Sequence, residues 1–138
     1  MRRILACLAA AAVLATSTPL AANGDGAALQ QVIRDQIAAF QEDDFDAAFK
    51  FASPAIRRIF GSPERFGQMV RQGYPMVHRP SELRFLEARQ GSRSSMLQRV
   101  MVTDTTGRVH LLEYEMVARG GTYLINGVRI LRGAEAGV

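Results

Sequence analysis

The first half of the chain repeats its apolar side chains with the spacing of a helix. One such stripe consists of Leu29, Val32, Ile33, Ile37 and Phe40. This spacing places all five side chains on one face of a three-turn helix. A second helical repeat follows the acidic run at residues 42–44 and consists of Phe45, Ala48, Phe49 and Ala52. The acidic run suits the start of this second helix, where unpaired backbone N–H groups need acceptors.

Two Ser-Pro pairs predict two further helix starts. In Ser53-Pro54 and Ser62-Pro63, the serine is suited to capping and the proline to the first helical position. We expect the first pair to open a short turn with Ile56, Ile59 and Phe60 facing inward, and the second to open a helix with Phe66, Met69 and Val70 facing inward. We expect the second helix to end at Gly73 in a left-handed conformation. After it, Tyr74-Pro75 and Arg79-Pro80 predict extended backbone, because a residue before proline avoids the α region.

From Ser81 onward the apolar pattern changes to a period of two, which predicts strands. The predicted strands are Glu82–Arg89, Met96–Thr103, Arg108–Ala118 and Thr122–Arg132. The breaks between them are short and rich in Gly, Ser, Asp and Thr, so neighbouring strands should pair antiparallel. Helices followed by an antiparallel meander indicate an α+β fold, with N-terminal helices packed on a four-stranded sheet.

The third predicted strand has two unlike faces. The more apolar face, which we expect to meet the helices, carries His110, Leu112, Tyr114, Met116 and Ala118. The opposite, outer face carries Val109, Leu111, Glu113, Glu115 and Val117. This alternation predicts that His110 and Tyr114 lie on the inner side of the sheet and both glutamates on the outer side.

The first 22 residues have the layout of a secretory signal peptide. Arg2 and Arg3 form a positive n-region, residues 4–15 are apolar, and residues 16–22 are small and more polar. The apolar run is far shorter than the roughly 20 residues that span a bilayer, which disfavours the alternative of a membrane anchor. We therefore predict cleavage after Ala22, a periplasmic or secreted protein without a stable membrane anchor, and one cysteine-free domain over residues 23–138.

Charge is modest in the predicted mature chain but unevenly distributed. Residues 25–50 hold six acids and two bases, whereas residues 51–93 hold eight arginines and three acids. Arginine binds carboxylates and phosphates in a forked geometry, so an anion-facing patch is one interpretation and solvated helix faces are the other. A net charge of only about +2 after signal removal argues against nucleic acid as a partner.

Several stretches in the middle of the chain match a known family. The run Phe40–Phe51 is followed by Ala52–Arg57, Phe60-Gly61-Ser62, Met69–Pro75 and Arg79-Pro80. This combination resembles the uncharacterised bacterial family called domain of unknown function 4864, over about Leu29 to Leu131. The resemblance implies a fold similar to nuclear transport factor 2 and ketosteroid isomerase, a cone in which helices wrap a curved antiparallel sheet and often enclose a pocket. Members often carry a tryptophan in the last strand, where this chain has Tyr123.

The residues offer candidates for binding rather than a catalytic set. His110 and Tyr114 share a strand face but lie about 13 Å apart along it, so they can line one cavity without touching. Tyr74, His78 and Arg79 lie in the linker before the strands, where together they are suited to a small anionic or aromatic ligand. The alternative for this linker is that its prolines only hold the chain against the sheet.

The sequence contains no recognised motif for a metal, cofactor or catalytic site. Asp43, Asp44 and Asp46 lack the ligand ladder of a calcium loop and fit a helix cap better. Two histidines without a mature cysteine make no zinc pattern, and Gly120-Gly121 fits a hairpin turn rather than a phosphate loop. We therefore predict no cofactor, and a non-enzymatic domain that binds a small ligand. The alternatives are an interaction module that dimerises through the outer sheet face, and an isomerase- or dehydratase-like enzyme.

Overall fold

The computed structural model describes residues 20–132, with side chains from residue 26 to residue 131. Five helices come first along the chain, and all are short except the first. They are α1 (Leu20–Gln41), α2 (Phe45–Lys50), α3 (Pro54–Phe60), α4 (Pro63–Gly73) and α5 (Pro75–His78). The predicted signal peptide lies outside the described residues, apart from the backbone of residues 20–22, which begins α1. Among the described helices, none is both long and apolar enough to cross a membrane.

Side-chain caps fix where three of the short helices begin. Asp44 accepts a hydrogen bond from the backbone N–H of Ala47 at the start of α2. Ser53 and Ser62 do the same at the starts of α3 and α4, each followed by proline at the first helical position. These caps satisfy N–H groups that a helix leaves unpaired. Both Ser-Pro predictions and the cap prediction for the acidic run are confirmed.

Three local predictions were wrong. The linker before the sheet is not extended throughout, because Pro75–His78 forms the short helix α5, and proline is well tolerated at a first helical position. Helix α4 ends at Gly73, but the capping residue is Tyr74, whose φ is −134°, so no left-handed glycine is involved. Ile59, expected to face inward, is 71% exposed.

The sheet contains four antiparallel strands in chain order. They are β1 (Glu82–Gln90), β2 (Met96–Thr103), β3 (Val109–Arg119) and β4 (Thr122–Arg132). Gly120 and Gly121 connect β3 to β4 with positive φ angles of 57° and 81°, which glycine adopts at little cost. Register shifts interrupt the β1–β2 pairing and the β3–β4 pairing, and such bulges bend a sheet. The α+β architecture and the antiparallel meander are confirmed.

The core lies between the helices and the inner face of the sheet. All five residues of the α1 stripe are buried, and they meet Val100, Val102, Leu112, Tyr114, Met116 and Ile125 from the strands. Helix α1 packs against β4, so the first helix meets the last strand. The predicted inner face of β3 is correct for Leu112, Tyr114 and Met116, which are fully buried.

The segment between α2 and α3 is attached to β4. The backbone N–H of Ser53 donates to the carbonyl of Ile125, and the N–H of Ile125 donates to the carbonyl of Phe51, both at 2.8 Å. These bonds form an isolated parallel bridge between Ala52 and Ile125. The bridge holds the start of α3 against the sheet, so the helix and the strand together form one side of an internal cavity.

Candidate functional site

A cavity of about 210 Å³ lies between the helices and the inner face of the sheet. Its walls come from α1, α3, α4, α5, β3 and β4, together with the segment around Ala52. The lining residues are Gln36, Phe40, Ala52, Ile56, Phe60, Phe66, Met69, Val70, Tyr74, Val77, Tyr114, Ile125, Gly127 and Val128. Most of these side chains are apolar, so the cavity suits a molecule of similar character.

Aromatic rings form much of the helical wall. Phe66 on α4 packs against Phe40, Phe49 and Phe60, with ring centroids 5.4 to 5.8 Å apart. The tilted arrangement of these rings is the favoured geometry for aromatic pairs. The cluster ties α1, α2, α3 and α4 together, which makes the wall rigid.

Three polar side chains line the cavity, and two of them each donate one hydrogen bond to a backbone carbonyl. The Nε2 of Gln36 donates to the carbonyl of Ala48 at 3.2 Å, although Gln36 is buried on the inner side of α1. The hydroxyl of Tyr74 donates to the carbonyl of Val128 at 3.0 Å, which links the α4–α5 junction to β4. Both bonds serve the protein's own backbone.

The third polar side chain, Tyr114, has a buried hydroxyl without a partner. Its side chain is fully buried on β3, and within the described part of the chain its hydroxyl makes no hydrogen bond. Burial raises the pKa of Tyr114, and the nearby Tyr74 raises it further. The phenol is therefore a neutral O–H donor at any physiological pH. An unpaired buried donor of this kind costs about 1–3 kcal/mol.

A second unpartnered atom lies on the neighbouring strand. Gln98 pairs directly with Tyr114 across β2 and β3, and its Nε2 donates to the carbonyls of Leu86 and Arg99 at 3.0 and 2.9 Å. Its Oε1 is buried, with no partner among the described residues. Gln98 does not line the cavity, so its amide serves mainly to pair the carbonyls around the irregularity in β1.

Of the five candidate ligand-binding residues, Tyr74 and Tyr114 line the cavity. His78 and Arg79 lie elsewhere, on Asp43 in the turn between α1 and α2. The His78 Nε2 is 2.7 Å from Asp43 Oδ1, and the Arg79 guanidinium is 3.0 Å from Asp43 Oδ2. The His78 hydrogen bond is the main cause that holds the pKa of Asp43 below its usual value, and Arg79 adds to it. These contacts fasten α5 to the end of α1.

The fifth candidate, His110, is also separated from the cavity. Its Nε2 lies 2.9 Å from the Oδ2 of Asp104, in the turn between β2 and β3. Asp104 also accepts bonds from the backbone N–H groups of Thr106 and Arg108. The His110 hydrogen bond is the largest of several that hold the pKa of Asp104 well below its usual value. Histidine here stabilises a hairpin turn.

The outer face of the sheet has a buried carboxylate that the sequence pattern did not indicate. Glu113 on β3 has a side chain only 1% exposed, and three arginines surround it. Arg89 and Arg99 lie 2.9 and 3.3 Å from its Oε2, and Arg129 bonds its Oε1. The Arg129 hydrogen bond is the main cause that lowers the pKa of Glu113. We call these four residues the Glu113 cluster.

The Glu113 cluster lies within the outer sheet face, through which the alternative hypothesis of an interaction module expected dimerisation. Leu111 and Val117, two of the apolar residues expected there, flank Glu113 and Glu115 on the same strand face. The centre of that face is therefore charged and internally paired, with its apolar residues divided between the two ends. Among the side chains that the structure describes, those of residues 26–131, no three His, Cys, Asp or Glu are grouped so that they could hold a metal ion.

The fold and the cavity define a class: an α+β protein in which helices cover one face of a four-stranded antiparallel sheet and leave an apolar cavity between them. The chain belongs to a family described as a domain of unknown function, DUF4864, whose model matches residues 22–138. A search of curated proteins and a search of solved structures each gave no match.

Proposed function

We propose that this domain binds a small, mainly apolar molecule in the cavity between its helices and its sheet, without catalysing a reaction. The observation that carries the proposal is the cavity itself, which has about 210 Å³ of space within an aromatic and aliphatic wall. When an apolar ligand enters, the side chains that line the cavity form van der Waals contacts with it and their apolar surface is removed from water; both effects favour binding. The packed aromatic rings around Phe66 favour binding, because a wall that is already formed does not lose conformational entropy when the ligand enters.

The lining favours binding over proton-transfer chemistry. General acid–base catalysis needs a group that exchanges protons near the operating pH, most often histidine or a carboxylate. The described residues that line the cavity include neither. Both histidines form contacts with aspartates outside it. We therefore propose that the cavity binds a ligand without transferring protons to or from it.

Two further parts of the proposal concern fold type and location. We propose that the domain is a cone of the nuclear transport factor 2 type, a resemblance supported by helices that precede a bent antiparallel meander and by the cavity between them. We also propose export to the periplasm or beyond. Its support is the signal-like pattern of the first 22 residues.

Ligand binding can be tested with a substitution that enlarges a side chain in the cavity wall and so reduces the space for a ligand. Ala52 is 1% exposed and lines the cavity, so Ala52→Leu adds three carbon atoms inside it. Ala55 is exposed on α3, so Ala55→Leu adds the same atoms outside and serves as the matched control. Indane, a bicyclic hydrocarbon, is the probe. We expect indane to raise the melting temperature of the wild type and of Ala55→Leu, and to leave that of Ala52→Leu unchanged.

Native mass spectrometry of the same three proteins supplies a second readout. A bound indane mass on the wild type and on Ala55→Leu, absent from Ala52→Leu, would support the cavity as the site. No indane-dependent shift in the wild type, or an equal shift in Ala52→Leu, would refute the proposal. The same spectra report whether the chain is a monomer or a dimer.

A further inference from the structure

We infer that a second cavity, on the outer face of the sheet, binds a small zwitterion of the amino-acid type, with its ammonium on Glu115 and its carboxylate on Arg129. This site lies on the opposite side of the sheet from the apolar cavity and does not depend on the proposed function. The second cavity has a volume of about 310 Å³, enough for a small amino acid. Its lining residues are Ser92, Ser95, Leu97, Glu113, Glu115, Gly127, Val128 and Arg129.

The register of the sheet explains why there is space at this place. Glu115 on β3 pairs with Leu97 on β2 and with Gly127 on β4, so on the β4 side it has no neighbouring side chain. A Cβ atom added to Gly127 would meet no atom within 4 Å. The outer face therefore has a depression above Gly127, bounded by Leu97 and by the turn between β1 and β2. Gly127 and Val128 also line the apolar cavity, because β4 lies between the two.

Glu115 brings a negative charge that the described residues do not neutralise. It is half-buried, and its carboxylate accepts a hydrogen bond from the amide of Asn126 at 3.0 Å. Among the described residues it forms no ion pair, whereas Glu113, two positions earlier on the same strand face, has three arginine partners. Because a partly buried charge is costly without a partner, Glu115 is suited to a cationic group from a ligand.

Arg129 brings a positive charge to the same cavity. Its guanidinium donates to Glu113 through one nitrogen, which holds it in place. Its side chain is 71% exposed, so further N–H donors of the guanidinium can reach a ligand. Arginine binds carboxylates in a forked geometry, which makes Arg129 the group suited to the ligand's carboxylate.

The charges around the cavity favour a ligand that carries both signs. The Glu113 cluster contains three arginines and one carboxylate, and Arg99 also pairs with Glu87 at 3.2 Å. Three positive charges thus face two negative ones, and Glu115 makes the balance even. Arg93 belongs to the neighbouring turn but does not line the cavity. A simple cation would lie near the arginines and a simple anion near Glu115, whereas a zwitterion gives each of its charges an opposite partner.

Zwitterions and singly charged molecules of similar size test this site. The zwitterions are glycine, β-alanine and γ-aminobutyrate, whose two charges are progressively farther apart. Butylamine and butyrate each carry one charge. In NMR titrations of the wild type at low salt, we expect at least one zwitterion to bind about tenfold more tightly than either singly charged probe. The affinity should fall as salt is added, because the site is open to solvent.

Two variants of the site and one control locate the binding. Glu115→Gln removes the charge and keeps the shape of the side chain, so the preference for the zwitterion should disappear. Glu87→Gln removes an exposed carboxylate that does not line the cavity, and the preference should remain. Gly127→Leu places a side chain in the open space on the outer face, and it should weaken zwitterion binding about tenfold or more. Circular dichroism establishes that each variant is folded.

The outcomes for this site are separate from those for the apolar cavity. Loss of the preference in Glu115→Gln, with retention in Glu87→Gln, would support the inference. Equal affinities of all the probes for the wild type, or no binding by any of them, would overturn it. A preference that persists in Glu115→Gln would overturn it as well. The effect of indane on the melting temperature tests the proposed function independently, since indane carries no charge.

Discussion

Glu113 and Tyr114 are neighbours on β3, and the alternation of the strand turns them to opposite faces of the sheet. Both side chains are almost completely buried, at 1% and 0% exposure. Glu113, on the outer face, has three arginine partners. Tyr114, on the inner face, has no hydrogen-bond partner among the described residues. Two adjacent residues thus carry a fully paired polar group and an unpaired one.

A buried polar group can be paired within the fold or left without a partner, and β3 carries one of each. The carboxylate of Glu113 is paired within the fold, and its ion pairs link β3 to β1, β2 and β4. The hydroxyl of Tyr114 is enclosed in the core on the cavity side of the sheet, and its donor has no partner among the described residues. Burial alone therefore does not say whether a polar group is paired, and an unpaired buried group calls for a physical explanation.

The largest expected effect comes from breaking the paired side with Glu113→Gln. The substitution removes the charge that three guanidinium groups face and keeps the shape of the side chain. Because the arginines are 36–71% exposed and water can reach them, the loss should lie at the lower end of the range for a broken buried pair, about 3 kcal/mol of unfolding free energy. Urea denaturation at pH 7 measures it.

The control for this variant is Glu87→Gln. Glu87 is 55% exposed and forms one ion pair, at 3.2 Å to Arg99. An exposed pair of this kind contributes about 0–1 kcal/mol. If the free energy of unfolding falls by the same small amount in both variants, the ion pairs of the Glu113 cluster do not stabilise the sheet.

The contribution of Glu113 should also depend on pH. Its folded-state pKa lies below the usual value, chiefly through the Arg129 hydrogen bond. The stabilisation is therefore fully present above the unfolded-state pKa of about 4.3 and is lost as the pH falls through the lower folded-state value. The difference in stability between wild type and Glu113→Gln should be constant from pH 7 to pH 5 and shrink in stronger acid. Asp43 and Asp104 also have lowered pKa values, but they are present in both proteins and their contributions cancel. A difference that grew in acid would contradict this assignment.

The smallest effect, and one of opposite sign, is expected from Tyr114→Phe in the absence of any ligand. Removing a buried hydroxyl that has no partner removes its desolvation cost, so the unfolding free energy should rise by about 1 kcal/mol. Tyr74→Phe is the matched control, because its hydroxyl donates to Val128 and its loss should destabilise the protein. A destabilised Tyr114→Phe would mean that the hydroxyl is already paired in the free protein.

Most of the fold could be predicted because its determinants are local. The α1 stripe, the two Ser-Pro caps and the strand limits each depend on residues a few positions apart. The stripe and the caps lie where the pattern predicts, and the strand limits agree to within one residue. The errors occur where tertiary contacts decide. Ile59 continues an inward pattern, yet α3 is only two turns long and its packing leaves that side chain exposed. Helix α5 was missed because two X-Pro pairs favour extended backbone.

The site was less predictable because its partners are distant in sequence. The strand pattern placed Tyr114 on the inner face, but neither its missing partner nor the cavity beside it has a local signal. His78 and His110 were candidates because the aspartates that bind them, Asp43 and Asp104, could not be paired with them from the sequence. Glu113 was correctly predicted to lie on the outer face, but its burial was not predicted, since its three arginines come from strands whose exact register the sequence does not specify.

The contact between α1 and β4 has a consequence for how the protein is made. Helix α1 is synthesised before the strands, and although α2 and α5 also pack against it, its coverage is complete only when the last strand is in place. The earlier strands can pair as hairpins while the chain is still growing, but the core cannot close until about residue 130 is available. A nascent chain therefore carries a hydrophobic helix that is only partly covered until the last strand is made, and loss of that strand should leave part of the helix exposed to chaperones and proteases.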